Sequence, residues 1–298
     1  MGSPQVSVVL GSYNRLPFLK LTIESIRREM QDSAREIIVV DGGSTDGSVE
    51  WLVQQKDILT IVQHNRGTWR GQTIQRRSWG YFMNLAFKTA QGKYVCMLSD
   101  DCLVIPNAIW NGYKLFEERL SRGENVGAVA FYYRDWPVQE KYHVCYTPAE
   151  FLYVNHGLYL NSALKEIGYA DEESFQFYAA DMDMCMRMRE LGYVIIDSPD
   201  SYIEHYAHAN FQVRSTNDKL LNMDVESQHR VWDKYMVDEQ TGQWRPSAIV
   251  EREYHDPANT VTEFVSLHRT NPAGLFSTIR SSYRYLRSIL AKFRKVFL

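Results

Sequence analysis

The run Tyr94-Val-Cys-Met-Leu98 ends on Ser99-Asp100-Asp101, two adjacent carboxylates at the close of an apolar stretch. Such a run reads as a buried strand carrying its acids to the C-terminal edge of an open α/β sheet, where ligands gather. Carboxylate oxygens suit a hard divalent cation, and such a cation suits a diphosphate. The same pair could instead begin a turn or cap a helix. A second pair, Asp181 and Asp183, opens the helix-like segment Asp181–Leu191. An acid at a helix start is favoured by the dipole alone, but a carboxylate fixed there can also take a proton from a hydroxyl. Two residues of helix turn through roughly 200°, so these acids cannot face one substrate atom, and Asp183 is expected to brace the site through Arg187 at i+4. His205 and His208 follow Ile203. Mixed carboxylate and imidazole ligation is compatible with Mn²⁺ or Mg²⁺, although a histidine at a strand end can equally be structural.

These residues need elements that bring them together. Val6–Leu10, Glu36–Val40 and Ile58–Val62 are short β-rich runs, and helical patterns fall between them, the first from Pro17 to about Met30 with Leu19, Ile23 and Ile26 on one face. Strands alternating with such helices imply βαβ units and a mostly parallel sheet flanked by helices. Right-handed crossovers then bring Gly11–Arg15, Asp41–Gly47 and Asp100-Asp101 to one sheet edge, a nucleotide-sized site. The second half is less regular. Strands are expected at Val126–Phe131, Tyr193–Ile196 and Tyr202–Tyr206, and a helix over Asp218–Met236. The expected organisation is one domain over 1–241, with a donor half to about 105 and an acceptor half beyond it, then an irregular linker over 242–272 and a basic helix over 273–298.

Composition narrows the function classes. A net charge of -3 argues against a generally basic nucleic-acid binder, so no nucleic acid is expected as a partner. Four cysteines without a CxxC pair read as reduced thiols. With no secretory signal at the start and no apolar stretch of bilayer-spanning length, a cytoplasmic protein is expected. The absence of GxGxxG after the first strand argues against a Rossmann dehydrogenase.

The ordered series Gly11-Ser-Tyr-Asn-Arg15, Asp41-Gly-Gly-Ser-Thr-Asp-Gly47, Asn84, Gly92-Lys-Tyr94, Ser99-Asp-Asp101, Gly157-Leu-Tyr-Leu160, Ile167–Glu172 and Asp181–Arg187 with Glu190-Leu-Gly-Tyr193 resembles the family 2 glycosyltransferases across about residues 5–236. The resemblance implies the GT-A fold, Rossmann-like, and an inverting transfer from a nucleotide-diphospho-sugar to an acceptor hydroxyl. It implies that Ser12, Tyr13, Asn14, Arg15, Asp41, Gly43, Asn84, Ser99 and Asp100 serve the donor, with Asp41 at the base. It further implies that Asp101 is the ligand for Mn²⁺ or Mg²⁺, that a histidine (His205, with His208 as the alternative) joins it, that Asp181 is the catalytic base, and that Gly157 lies on the acceptor side. Ala180 stands where relatives often carry Glu, which leaves a catalytically silent carbohydrate- or membrane-binding module as the rival reading. A nucleotidyltransferase is the remoter one.

Arg66, Arg70, Arg76 and Arg77 lie in a long Arg- and Gly-rich connection, and guanidinium forks there could grip a diphosphate or an anionic acceptor as part of a lid. Arg66 is assigned to the donor. Trp136, with Asp183 on the acceptor side, could stack on a sugar, or pack in a core as indoles commonly do. Residues 273–298 hold six Lys or Arg and no Asp or Glu, beside an apolar stripe of Phe276, Ile279, Tyr283, Leu286, Leu290, Phe293 and Phe297. That pattern fits a helix lying on an anionic membrane surface, peripheral on the cytoplasmic face, and would suit a lipid-linked or other glycan acceptor. A helix docked on its own core or a dimer seam would use the same stripe.

Overall fold

The structure, a computed structural model, describes residues 4–29, 35–148, 150–206, 220–257 and 259–270. Strand β1 (Val6–Ser12) lies between β2 (Arg35–Asp41) and β6 (Tyr94–Met97), parallel to both, and β3 (Ile58–Val62) extends the parallel part beyond β2. β1 is apolar on both faces because both are covered. Val6, Val8 and Leu10 pack with Leu19, Ile23 and Ile26 of α1 (Leu16–Arg27), while Val9 faces Phe82, Met83, Ala86 and Phe87 of α3 (Trp79–Thr89). Pro17 sits in the first turn of α1, and Ser78 caps α3 by accepting from Tyr81 N at 3.2 Å. The short α2 (Ser48–Leu52) precedes β3.

Between β3 and α3 the Arg- and Gly-rich connection is not a loop throughout. It folds back as a small hairpin of β4 (Thr68–Trp69) and β5 (Gln72–Thr73), turning through Arg70 and Gly71, both at positive φ. Its base is closed by Asn65, whose side chain accepts from Arg77 N at 2.6 Å.

The second half of the sheet is mixed. β10 (Gly157–Leu160) is wedged antiparallel between β6 and β8 (Val126–Trp136), and β9 (Tyr142–Cys145) continues beyond β8. The mostly parallel arrangement thus belongs to the first half, and antiparallel pairs predominate in the second. Gly157 is required by that wedge, since an added Cβ would lie 2.1 Å from Val129 O. The two strands expected over 193–206 form one, β11 (Val194–Tyr206), whose register slips between Ser198 and Tyr202, around Pro199. Its C-terminal part pairs parallel with β8 and antiparallel with β7 (Cys102–Val104), so His205 stands opposite both Asp135 and Cys102. Helices α4 (Ala108–Ser121), α5 (Asn161–Glu166) and α6 (Ala180–Glu190) cover the sheet, and α7 (Leu221–Met236) packs Trp232 and Met236 on Met182 and Met186 of α6.

The expected irregular linker at 242–272 is corrected by two elements. β12 (Ile249–Arg252) adds to the sheet edge by pairing antiparallel with β9, and α8 (Thr262–Thr270) buries Phe264 against Phe18 and Tyr206. A bare β9 edge offers unpaired backbone groups, and an aromatic cluster offers burial. The expected helix over 273–298 lies outside the described residues. Among the described residues, no helix is long and apolar enough to cross a membrane.

Candidate active site

A cavity of about 580 Å³ opens where β1, β2 and β6 end. Ser12, Tyr13, Arg15, Arg66, Ser99, Asp100, Asp101, Asp181 and His205 all line it, so residues spread over almost two hundred positions of sequence meet in one place.

Its floor is an acid pair clasped by one guanidinium. Arg15 Nη1 donates to Asp100 Oδ1 at 2.7 Å and to Asp101 Oδ2 at 2.9 Å, and both acids are buried. Burial pushes the Asp100 carboxyl above the usual range in spite of Arg15. Burial works the same way on Asp101, but Arg15 and His205 together outweigh it and hold this carboxyl below the usual range. The pair is therefore asymmetric, with Asp101 the anionic member. Asp100 Oδ2 and Asp101 Oδ1 are buried without a hydrogen bond. His205 turns Nε2 to within 3.4 Å of Asp101 Oδ1, and its Nδ1 lies 2.6 Å from Asp135 Oδ1. Burial would make this imidazole less basic, yet the two facing carboxylates raise it to about 10. Two orphaned carboxylate oxygens beside an imidazole nitrogen match a hard divalent cation in donor type, with phosphate oxygens available to complete its shell. Among the described residues, no three acidic, histidine or cysteine side chains already stand as a complete metal cluster.

On another wall Asp181 sits in the first turn of α6, which starts from Ala179 in the left-handed region (φ 62°). Asp181 Oδ2 accepts from Asn155 Nδ2 at 3.1 Å and Oδ1 from Met182 N at 2.9 Å. Burial raises this carboxyl to about 6, and those two donors hold it back from rising further. A carboxylate of that basicity is ionised at neutral pH yet a better proton acceptor than an exposed aspartate. The Tyr13 ring carries the Arg66 guanidinium 4.9 Å above its centre. Burial lowers the basicity of Arg66 and Arg76, and guanidinium neighbours (Arg15 for Arg66, Arg66 for Arg76) lower it further. Crowded cations of this kind favour an anionic ligand.

Several expected site residues are not among those lining the cavity, and the described ones make contacts within the framework. Asp41 is fully buried beneath the rim, its Oδ1 accepting from Gly43 N and Ser44 N at 2.8 and 2.7 Å and its Oδ2 from Ser44 Oγ at 2.7 Å. It shapes the turn, and Gly42 beside it reaches the cavity. Gly43 supplies the positive φ of 83° that this turn needs. Asn14 ties the first turn to the second, its N–H donating to Ser44 Oγ and its Oδ1 accepting from Thr45 N, both at 2.8 Å. Asn84 is buried and staples α3 to the segment before α6, donating to Ala170 O and Glu172 Oε1 and accepting from Ala170 N. Gly157 is a sheet residue. Asp183 is a brace, accepting from Arg187 Nε at 2.8 Å and Trp232 Nε1 at 3.1 Å, while Arg187 reaches on to Ile167 O and Tyr169 O. Trp136 packs with Tyr206, Phe264 and His268. His208 lies outside the described residues.

Among the polar lining residues that the sequence reading does not single out are Asp135, Asn155, Asp224 and Gln228. Asp135 had a visible signal, since it stands near the end of a long apolar strand, as Asp100 and Asp101 do. Asp224 had none, because nothing in a helical sequence announces that its carboxylate accepts from Gln176, Phe177 and Tyr178 N at 2.6, 2.9 and 2.7 Å.

Fold and site together define a class: an α/β protein whose acidic cavity sits at the C-terminal ends of its parallel strands, with a basic wall for an anionic ligand. Residues 7–157, half of the chain, match the model of glycosyl transferase family 2, and the protein belongs to that family. It is 26% identical over 128 residues to chondroitin synthase of Escherichia coli, across 42% of this chain and 17% of that protein. It is 31% identical over 121 residues to an uncharacterised glycosyltransferase of Methanocaldococcus jannaschii, across 39% of each. The matched segment thus spans well under two thirds of either relative. Among solved structures, the mannosyltransferase PcManGT of Pyrobaculum calidifontis, in complex with GDP-Man and Mn²⁺, superposes with a TM-score of 0.52 at 15% identity, covering 95% of this chain and 81% of that one. That likeness is one of fold, the GT-A fold.

Proposed function

We propose that the protein is a metal-dependent, inverting glycosyltransferase that moves a sugar from a nucleotide-diphospho-sugar to an acceptor hydroxyl by a single displacement. The observation that carries this reading is one cavity holding two contrasting carboxylates: Asp101, kept anionic beside Arg15 and His205, and Asp181, raised to about 6 on a separate wall. Asp101, with His205 and Asp100 beside it, would hold Mn²⁺ or Mg²⁺, which when bound supplies positive charge to the departing diphosphate. Arg66, stacked on Tyr13, adds charge and a fork of donors for the same group. Asp181 takes the proton of the acceptor hydroxyl as it attacks the anomeric carbon, and Asn155 keeps the carboxylate aimed. The Mn²⁺ and GDP-Man held by the structural neighbour support this reading of donor and metal. We further infer a glycan acceptor, on a lipid carrier at an anionic cytoplasmic membrane face, from the basic amphipathic sequence 273–298.

The test is a screen of UDP-, GDP- and dTDP-sugars with Mn²⁺ or Mg²⁺ against glycan acceptors, reading nucleoside diphosphate release and the anomeric configuration of the product. Release of a nucleoside diphosphate with inversion is expected. Release of inorganic diphosphate would mark a nucleotidyltransferase, and retention of configuration would remove Asp181 from the role of base.

A further inference from the structure

Asp135 has no part in the chemistry derived above, yet it lines the cavity and lies against His205. We propose that Asp135 is a positioning residue that sets His205 for the metal: by accepting from Nδ1 it makes Nδ1 the nitrogen that keeps its proton when a metal displaces the one on Nε2, and it turns Nε2 toward Asp101. The proposal rests on the metal reading of the site.

Three observations carry it. First, the contact is built by the sheet, because Asp135 of β8 and His205 of β11 are direct partners in the strand register, and His205 is also opposite Cys102, the residue after Asp101. Two strands therefore fix the distance between the acid that orients the ring and the acid the ring faces. Second, the ring spans the two carboxylates end to end, with 2.6 Å from Nδ1 to Asp135 Oδ1 and 3.4 Å from Nε2 to Asp101 Oδ1. The shorter contact is a full hydrogen bond, and the longer one leaves Asp101 Oδ1 without a hydrogen bond. Third, aromatic neighbours limit the ring's swing, with His156 at 5.3 Å and Tyr133 at 6.5 Å between ring centres. A carboxylate that receives one imidazole N–H fixes the tautomer and leaves the other nitrogen as the donor atom to a metal, and loss of such a partner typically weakens metal binding by about 10–100-fold.

The experiment measures Mn²⁺ affinity directly, by the loss of the free-ion paramagnetic resonance signal, for Mn²⁺ alone and for Mn²⁺ with UDP or GDP. Wild type, Asp135→Asn, His205→Ala and the double variant are compared, with thermal unfolding in the absence of metal alongside. Asp135→Asn is expected to bind Mn²⁺ about 10–100-fold more weakly with a nearly unchanged unfolding temperature. In the His205→Ala background the same substitution should cost nothing further, because Asp135 acts only through that ring. Asp135→Glu, which keeps the charge, should lose less than Asp135→Asn, and it carries the comparison if the asparagine variant does not fold. Unchanged affinity in Asp135→Asn, or an equal penalty with and without His205, would overturn the proposal while leaving the metal site standing. Failure of the wild-type protein to bind Mn²⁺ under any of these conditions would overturn the metal reading and this proposal with it.

Discussion

Asp181 and Arg15 show how burial sets the properties of single side chains. The Asp181 carboxyl, raised to about 6 by burial, must be ionised to accept a proton. Turnover is therefore expected to fall about tenfold per pH unit below about 6 and to level off above it, read as kcat against pH with a saturating donor. Asp181→Asn should lose about 10²–10⁴ in kcat. The same substitution should raise the unfolding temperature at neutral pH. A folded-state pKa above the ordinary one means that ionising the buried group costs stability as pH rises through that range, on the order of 1–3 kcal/mol, and an amide avoids the cost. A lower melting point would show that Asp181 is structural. Arg15 carries the opposite sign. Arg15→Met leaves Asp100 and Asp101 buried side by side without their counter-charge, at a cost of about 3–5 kcal/mol. Asp100 already has a raised carboxyl, so it is the one to take up a proton. The native state then binds more protons than the unfolded state, and the variant's deficit in Tm should be smallest in acid and grow as pH rises toward neutrality. A deficit independent of pH would contradict this account of the pair.

Elements decide which of these side chains meet. The loop that leads into α6 is tied to α7 by one buried carboxylate, Asp224, which takes three successive backbone N–H groups of residues 176–178. Trp232 of the same helix donates to Asp183, so α7 holds the start of α6 at two points. Asp224→Ala leaves three donors unpaired at about 1–3 kcal/mol each unless the loop opens to water. Faster hydrogen exchange over 176–178 and a kcat at least tenfold lower are expected, since small misplacements of a reacting group are costly. Normal exchange there would sink the idea. Gly157→Ala is expected to lower stability by about 2–4 kcal/mol in a denaturant titration, because the new methyl would meet the Val129 carbonyl inside the sheet. The first half of the sheet was legible because its signals are local: β-rich runs, Pro17 at a helix start, and acids at strand ends. The second half was less so. β10 is antiparallel within a sheet that began parallel, β11 runs through Pro199 in one strand, and β12 pairs with a strand about a hundred residues earlier. The donor roles of Asn84 and Asp41 are implied by the family resemblance, not by any local signal. Only the fold reveals that their polar atoms are consumed within the framework.

At the scale of the molecule, described residues form the cavity and the sheet edge to which β12 adds, while the basic sequence 273–298 stands apart as a pattern known only from the chain. The βαβ rule sends Asp100 and Asp101 to one rim, whereas Asp181 and His205 join the expected site only through the family resemblance; the contacts of Asp135 and Asp224 depend on register and helix docking, which are set by the whole fold. The closing pattern makes a whole-molecule prediction. Six Lys or Arg with no acid among them, beside seven apolar residues in steps of three and four, fit a surface helix on an anionic bilayer. Each basic residue near such a surface contributes about 1 kcal/mol, an attraction that falls off within a Debye length. Full-length protein should therefore float with phosphatidylserine-containing vesicles, far less with phosphatidylcholine alone, and less again in high salt. A chain ending at Asn271 should lose at least tenfold in vesicle affinity while keeping its activity on a soluble acceptor, because every cavity-lining residue named above precedes that point. Equal flotation of the two chains would assign the tail to another surface, either the body of the protein or a second copy.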